Sequence, residues 1–210
     1  MKCISCENNE VYKTLGWRIK FHELVMKPIS YYFSSRILKN ELIKTIGDVK
    51  GKRIIDASCG EDNMCVKLRD MGAKVTCNDI CMDSMKPLFK NKGIKFINKS
   101  VFDLSTKRRY DVVLFKNTFH HLSSDKQIKE CLKVLVKLGR KIVIMDIDNP
   151  RKYWLARWWN NYYRYFLKDQ GNFFIEYERF CQYILDIAPN AKLKRIKTIK
   201  GWYMLAVIEL

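Results

Sequence analysis

The sequence predicts a doubly wound α/β fold, with a mostly parallel seven-stranded sheet, helices on both faces and a C-terminal antiparallel hairpin. Five short runs rich in Val, Ile and Phe are spaced along residues 52–146, and segments with helical periodicity lie between them. The last 20 residues hold two further strand-like runs, separated by Lys200 and Gly201. Alternation of this kind is typical of parallel strands joined by right-handed helical crossovers.

The elements follow in chain order. Residues 1–50 are predicted to be mainly helical, with the clearest 3.6-residue spacing over 29–46. The predicted strands are residues 52–58, 73–79, 94–100, 110–116 and 140–146. A helix is predicted over 64–71, where Gly72 stops it, and another over 125–138. The second carries one apolar stripe, made of Ile128, Cys131, Leu132, Leu135 and Leu138.

Composition bounds the classes of protein that remain. The 210 residues suffice for one well-buried domain, and no apolar run approaches the ~18 residues that a membrane span needs. The N-terminal sequence lacks the apolar segment of a secretory signal, so we expect a cytoplasmic protein. Eight scattered cysteines then indicate reduced thiols, and the pair Cys3 and Cys6 lacks a second pair for a zinc site, so no metal is expected.

The formal net charge of +18 raises the question of a nucleic-acid partner. The lysines are scattered along the whole chain rather than clustered, which does not favour that partner but leaves it as an alternative. No residue pattern specifies an oligomeric state.

An acidic turn follows the first predicted strand. Asp56 ends that strand, and Glu61 and Asp62 come directly after Gly60. Asp79 lies 19 residues beyond Gly60, at the end of the next strand, where an acid can bind ribose hydroxyls. A dinucleotide would lay its negative pyrophosphate on this turn, next to the acids. S-adenosylmethionine (SAM) carries a sulfonium and an ammonium, so carboxylates nearby stabilise it, and the turn favours SAM as cofactor.

Four motifs in order then resemble the class I, Rossmann-like SAM-dependent methyltransferases, especially the small-molecule branch that includes the quinone-biosynthesis enzymes. They are IIDASCG (54–60), VTCNDIC (75–81), NKSVFDLS (98–105) and YDVVLFKNTFHHL (110–122). Ser58 and Asp62 stand where the family has glycines. By this resemblance the cofactor would contact Asp56, Ser58, Cys59, Gly60 and Asp62 at its methionine end, Asp79 and Ile80 at the ribose, Ser100 and Val101 at the adenine, and Phe115, Lys116 and Asn117 near the sulfonium.

The resemblance also implies a domain organisation. Residues 1–50 would form a helical lid or cap over a SAM-binding domain at 51–210, and residues 149–180 would be an insertion that builds the acceptor pocket. The insertion is rich in Trp and Tyr, and on a helix Trp154, Trp158 and Tyr162 recur every four residues. A helix that is apolar nearly all round is buried or covers something. It would offer an aromatic wall for a flat or cationic small-molecule acceptor. Ordinary packing on the sheet, contact with a membrane surface and base stacking in RNA remain as alternatives.

The candidate catalytic residues are His120 and His121, which follow the fourth predicted strand where an acceptor would lie. Imidazole titrates near neutrality and can take the proton that some acceptors lose on methylation. We favour His120, while packing or solvent exposure of either imidazole is the competing interpretation.

We therefore expect an enzyme that moves the methyl group of SAM to a small molecule. One alternative is a SAM-utilising cyclase or lyase that releases methylthioadenosine, which the acidic turn and the aromatic segment keep open. The other is an RNA methyltransferase, supported by charge alone. The Asn/Asp-Pro-Pro-aromatic tetrad of amino-methylating enzymes is replaced here by NTFH at 117–120.

Overall fold

A computed structural model describes residues 16–60, 63–80, 86–107, 109–168, 171 and 173–210. Its centre is one seven-stranded sheet in the order β3-β2-β1-β4-β5-β7-β6. The strands are β1 (Arg53–Asp56), β2 (Lys74–Asn78), β3 (Lys95–Ile97), β4 (Tyr110–Lys116), β5 (Gly139–Ile147), β6 (Lys192–Thr198) and β7 (Gly201–Glu209). β1 to β5 pair in parallel, whereas β7 pairs antiparallel with both β5 and β6. The predicted fold class and C-terminal hairpin are confirmed.

The helices lie between these strands in the predicted alternation. They are α1 (Arg36–Ile46), α2 (Met64–Asp70), α3 (Lys86–Asn91), α4 (Asp125–Leu138), α5 (Trp154–Asn161) and α6 (Tyr177–Leu185). From residue 16 onward, where the description begins, four shorter helical segments precede α1, at Trp17–Phe21, His22–Met26, Lys27–Ser30 and Tyr31–Ser35, and the second and fourth have wider π-type turns. No helix in the described part of the chain is both long and apolar enough to cross a bilayer.

The sheet separates two apolar layers because successive side chains on a strand point to opposite faces. Ile54 of β1 packs in the layer that contains α1, α2 and α3, whereas Ile55 packs in the layer that contains α4 and α6. The predicted apolar stripe of α4 is fully buried in the second layer. Helices therefore cover both faces of the sheet. The carboxyl ends of its central strands, β1 and β4, lie side by side at one end of the sheet.

The aromatic segment forms a short helix with one buried face. Helix α5 covers only Trp154–Asn161 and continues as a π-type turn to Phe166, and its only buried side chains are Ala156 and Trp159. Trp154 is 76% exposed, so the segment packs on one side and is not enclosed all round. The reason is that the hairpin meets one face alone: a Cβ on Gly201 would lie 2.7 Å from the Cβ of Ala156.

The expectation of reduced cysteines is wrong for one pair, because Cys65 of α2 and Cys77 of β2 form a disulfide. Their Cα atoms are 6.5 Å apart, within the range that a disulfide spans, although the residues belong to different elements. The sulfur of Cys59 lies within 4.8 Å of both sulfurs. Cys131 and Cys181 are thiols. Cys3 and Cys6 lie outside the described residues.

Candidate active site

The candidate site begins where the strand order of the sheet reverses, between β1 and β4. Ligands of open α/β sheets bind outside the carboxyl ends of the strands at such a point. Asp56 ends β1 and Lys116 ends β4. Lys116 Nζ lies 2.9 Å from Asp56 Oδ2, and the two side chains are 4% and 0% exposed. The two opposite charges are therefore buried as a pair at the floor of the crevice.

The loop after β1 is bonded to both neighbouring strands. The backbone N–H of Lys116 donates to Ser58 Oγ at 3.2 Å, and Lys116 Nζ donates to the carbonyl oxygen of Cys59 at 3.1 Å. The backbone N–H of Cys59 donates to the carbonyl oxygen of Asn78 at 3.0 Å. These bonds fix the loop across the switch point, with Ser58 and Cys59 on its inner side.

Gly60 and Asp79, which the sequence pairs by spacing alone, are in direct contact. The N–H of Gly60 donates to Asp79 Oδ2 at 3.0 Å. Gly60 has φ +54°, a left-handed conformation that glycine adopts without steric cost. The contact holds the carboxylate beside the loop at the carboxyl end of β2. Glu61 and Asp62 lie outside the described residues.

The residues predicted at the adenosine end lie along the same edge. Ile80 follows Asp79 and is 39% exposed. Ser100 begins a short 3-10 turn at Val101–Asp103, in which its Oγ accepts from the N–H of Phe102 at 3.4 Å. The backbone N–H of Asp79 donates to the carbonyl oxygen of Ile97 at 3.2 Å, which joins the two strand ends.

At the end of β4, the Phe115 side chain does not face the crevice, although the sequence predicts Phe115 as a cofactor contact. The Phe115 side chain is fully buried, with its ring 5.0 Å from that of Phe119, so only the backbone of Phe115 can face the crevice. Asn117 has φ +52°, and its N–H donates to the carbonyl oxygen of Met145 at 2.8 Å. Non-glycine residues with positive φ are uncommon and cluster at functional sites. The turn at Asn117 directs the following 3-10 segment, Phe119–His121, over the strand ends.

His120 is held there by Asp146, near the end of β5. His120 Nδ1 lies 2.7 Å from Asp146 Oδ1, and the two side chains are 14% and 2% exposed. Asp146 Oδ2 also accepts from the backbone N–H groups of Thr118 at 2.8 Å and Phe119 at 2.6 Å. The carboxylate thus fixes both the imidazole and the backbone that carries it.

Asp146 is ionised at neutral pH despite its burial. Burial raises the pKa of this carboxyl, but the charge of and hydrogen bond from His120, with the N–H groups of Ile147 and Phe119, lower it below its ordinary value. An ionised Asp146 can only accept a hydrogen bond, so Nδ1 of His120 carries the proton between them and the carboxylate orients the ring. The arrangement therefore makes His120 a candidate general base.

Two further groups pack against His120. The ring of Phe174 stacks on it with centroids 5.7 Å apart, and the His121 ring lies 4.3 Å away. A Cβ on Gly171 would lie 2.4 Å from Cδ2 of His120, so only glycine allows the chain to pass this close. Both predicted histidines lie together, but it is His120 that contacts Asp146.

A cavity of about 260 Å³ opens beside the two histidines. Part of its wall is aromatic, from Trp159, Tyr163, Phe174 and Tyr203, and two cations, Arg164 and Lys200, also line it. The lining residues are Asn117, His120, His121, Ile147, Ala156, Trp159, Asn160, Tyr163, Arg164, Gly171, Phe174, Lys200 and Tyr203. The cavity therefore connects the end of β4 with the aromatic segment predicted to build an acceptor pocket.

Sequence reasoning missed Asp146 and Lys200. Asp146 closes the predicted strand 140–146, and an acid at the carboxyl end of a buried strand was a usable signal. Lys200 was treated only as part of a hairpin turn. Its proximity to the cavity depends on how the hairpin docks on α5, which no local pattern encodes.

Comparisons with known proteins agree with this arrangement. Residues 31–202 match a family described as "Methyltransferase domain". A protein of Staphylococcus carnosus (strain TM300), named as an uncharacterized methyltransferase, is 21% identical over 189 residues, which cover 88% of this chain and 89% of that protein.

Solved structures show the same fold. Magnesium protoporphyrin IX methyltransferase from Synechocystis PCC 6803, with bound SAM, superposes with a TM-score of 0.59 at 15% identity, over 82% of this chain and 76% of that one. The 1,6-didemethyltoxoflavin-N1-methyltransferase of Burkholderia thailandensis, with its substrate and S-adenosylhomocysteine, gives 0.61 at 13% identity, over 95% and 89%. The family match spans most of the sequence, and this chain belongs to the methyltransferase-domain family.

Proposed function

We propose that the protein transfers the methyl group of SAM to a small molecule held in the cavity beside His120. The observation that carries the proposal is the buried His120–Asp146 pair, placed between the loop at the switch point and a cavity with aromatic walls. When bound, SAM supplies a methyl group already activated on a positively charged sulfur. The protein then has to align the acceptor, exclude water and take a proton where the acceptor carries one.

The loop after β1 lies where the cofactor would bind. The loop from Ser58 to Gly60 follows the end of β1, where the Asp56 and Cys59 side chains are buried beneath it, and Asp79 lies beside Gly60 for the ribose hydroxyls. Ile80, Ser100 and Val101 would take the adenine, and the chain from Phe115 to Asn117 would lie near the sulfonium. Because Lys116 compensates Asp56, the negative charge that favours a cationic cofactor would have to come from the other acids that the sequence places at this turn, Glu61 and Asp62.

His120 acts on the acceptor through Nε2. Asp146 orients the ring and stabilises the imidazolium that forms when the proton is taken. The fit is best for an acceptor with an O–H, an N–H or an acidic C–H, because only such a group needs a base. His121, in ring contact with His120, would help enclose the acceptor.

The N-terminal segments would cap this site. The Phe166 ring is 5.5 Å from the Trp17 ring, and His22 Nδ1 is 3.1 Å from the Tyr162 hydroxyl. These contacts join residues 17–22 to the turn after α5, which supports a cap over residues 51–210 and an acceptor role for 149–180.

Product analysis tests the proposal against its alternatives. The protein is incubated with SAM, with and without candidate acceptors, and S-adenosylhomocysteine and methylthioadenosine are quantified. Acceptor-dependent S-adenosylhomocysteine is expected. Methylthioadenosine formed from SAM alone would instead establish a cyclase or lyase. Calorimetry that shows NAD or ATP binding but no binding of SAM or S-adenosylhomocysteine would overturn the proposal altogether.

A further inference from the structure

Building on that function, we propose that the acceptor is a planar organic anion, and that Lys200 binds a negatively charged group that is separate from the group methylated. Four features carry this proposal: the charges lining the cavity, the anchoring of Lys200, the chemistry of His120 and the size of the space.

The described lining of the cavity contains cations but no carboxylate. Arg164 belongs to the aromatic segment and Lys200 to the hairpin turn, and both line the cavity together with His120 and His121. Asp146 is buried behind His120, and its charge is directed to that ring and to backbone N–H groups. A cationic acceptor would meet like charges here, so the cationic option that the aromatic sequence left open is disfavoured on electrostatic grounds.

Lys200 is fixed in place by the hairpin and by the aromatic wall. Its Nζ donates to the Tyr163 hydroxyl at 2.9 Å and lies 4.8 Å and 5.3 Å from the ring centroids of Tyr163 and Trp159. Gly201, with φ +114°, lets the hairpin approach α5 closely enough to hold the lysine there.

The ammonium is therefore half-buried against partners that carry no full negative charge. Among the described residues, the structure shows no ion pair between Lys200 and a carboxylate. The Tyr163 hydroxyl and the two rings stabilise this ammonium, and a full negative charge beside it would stabilise it more strongly. An anionic group of the ligand would supply that charge, while the Trp159 and Tyr163 rings favour a flat molecule.

His120 separates the anionic group from the methylated group. An ionised carboxylate has no proton to give at neutral pH, so it needs no base. The buried His120–Asp146 pair is useful when the methylated atom loses a proton, as a hydroxyl or amine nitrogen does. The ligand then spans the cavity with a protonated group at His120 and a charged group at Lys200. A cavity of about 260 Å³ lies below the range of drug-sized pockets, which fits a molecule of one or two rings.

The test measures binding rather than turnover. The protein is saturated with S-adenosylhomocysteine and titrated by calorimetry with isomeric hydroxybenzoates, the matching neutral hydroxybenzamides and the cationic hydroxybenzylamines. At least one hydroxybenzoate is expected to bind roughly tenfold or more tightly than its amide, as a charge-assisted contact provides. Lys200→Gln should remove that preference and leave the affinity for the amide within about twofold.

Lys192→Gln is the matched control, because it removes one positive charge from the same hairpin at a side chain that is 79% exposed. It should keep the preference for the anion. Amides or amines that bind as tightly as the benzoates, equal loss of preference in both variants, or no binding by any probe would each overturn the inference. Failure of S-adenosylhomocysteine itself to bind would instead refute the proposed function, so the two failures are distinguishable.

Discussion

Asp146 joins the two parts of the candidate site. Its carboxylate bonds to the His120 ring and to the backbone that carries that ring, so one buried charge sets both position and protonation. Such a group changes catalysis and stability together. A substitution at His120 therefore tests turnover, whereas a substitution at Asp146 also tests how the buried charge contributes to stability.

His120→Gln should reduce turnover by roughly 10²- to 10⁴-fold, because the glutamine amide cannot accept the proton of the acceptor. The affinity for S-adenosylhomocysteine should stay unchanged, since His120 lies on the acceptor side. The rate of S-adenosylhomocysteine formation measures turnover, and calorimetry measures the affinity for S-adenosylhomocysteine. His121→Gln should have a smaller effect, because Asp146 contacts His120. Full turnover in His120→Gln would show that another group takes the proton.

The depressed pKa of Asp146 makes stability depend on pH. A carboxyl with a folded-state pKa below its unfolded value contributes stability that is present above the unfolded pKa, about 3.9, and is lost as pH falls through the folded pKa. The free energy of unfolding should therefore fall on acidification below about pH 4. Asp146→Asn should lose roughly 1.5–3 kcal/mol at pH 7 and show a flatter acid limb in urea titrations. An unchanged acid limb would mean that other carboxyls dominate it.

The pair of Lys116 and Asp56 predicts a large cost for removing one partner. Lys116→Met leaves a fully buried carboxylate without its ammonium, which should destabilise the fold by about 3–5 kcal/mol in urea unfolding. Asp56→Asn combined with Lys116→Met should recover part of that loss. Lys141→Met is the control, since Lys141 pairs with the exposed Glu209 at 3.5 Å and should change stability by less than about 1 kcal/mol. If Lys116→Met and Lys141→Met lowered the free energy of unfolding by the same amount, Lys116 would not belong to a buried charge pair.

At the scale of elements, the segments before α1 combine few tertiary contacts with many exposed apolar side chains. Leu24 is 78% exposed, and the rings of Trp17 and Phe21 both contact the Phe166 ring. Regions of this kind open at a low free-energy cost. If they cap the cofactor, S-adenosylhomocysteine should slow tryptic cleavage at Arg18 and Lys20. Phe166→Ala should speed it. Cleavage of residues 16–35 that is unaffected by the ligand would count against a cap.

The sequence predicts those helices and strands whose spacing of apolar residues depends only on which face is buried. The strands and α4 were predicted because alternate burial across a covered sheet imposes apolar runs and stripes. For the aromatic segment the sequence leaves several roles open, because apolar composition does not state how many neighbours a helix has. Helix α5 contacts the hairpin on one face and leaves Trp154 exposed.

The candidate site was predictable to the extent that it follows strand ends. Asp56, Gly60 and Asp79 come from positions that the βαβ pattern fixes, and the structure brings them together. The Asp146 bond to His120 and the placement of Lys200 depend on packing between β4, β5 and the hairpin. The disulfide between Cys65 and Cys77 likewise joins side chains from two elements that meet only in the folded chain.

At the scale of the whole molecule, the net charge of +18 attracts polyanions whatever the enzyme's substrate. Affinity for RNA is therefore no evidence that RNA is the substrate. Methylation of RNA that rises and falls with binding would be such evidence. Bulk tRNA should bind at 50 mM KCl and weaken steeply by 200 mM, by about 10³- to 10⁵-fold if six to ten phosphates are contacted. It should take up no labelled methyl group from SAM at either salt concentration. Methyl incorporation into tRNA that falls with salt in parallel with binding would instead make the charge functional and identify RNA as the acceptor.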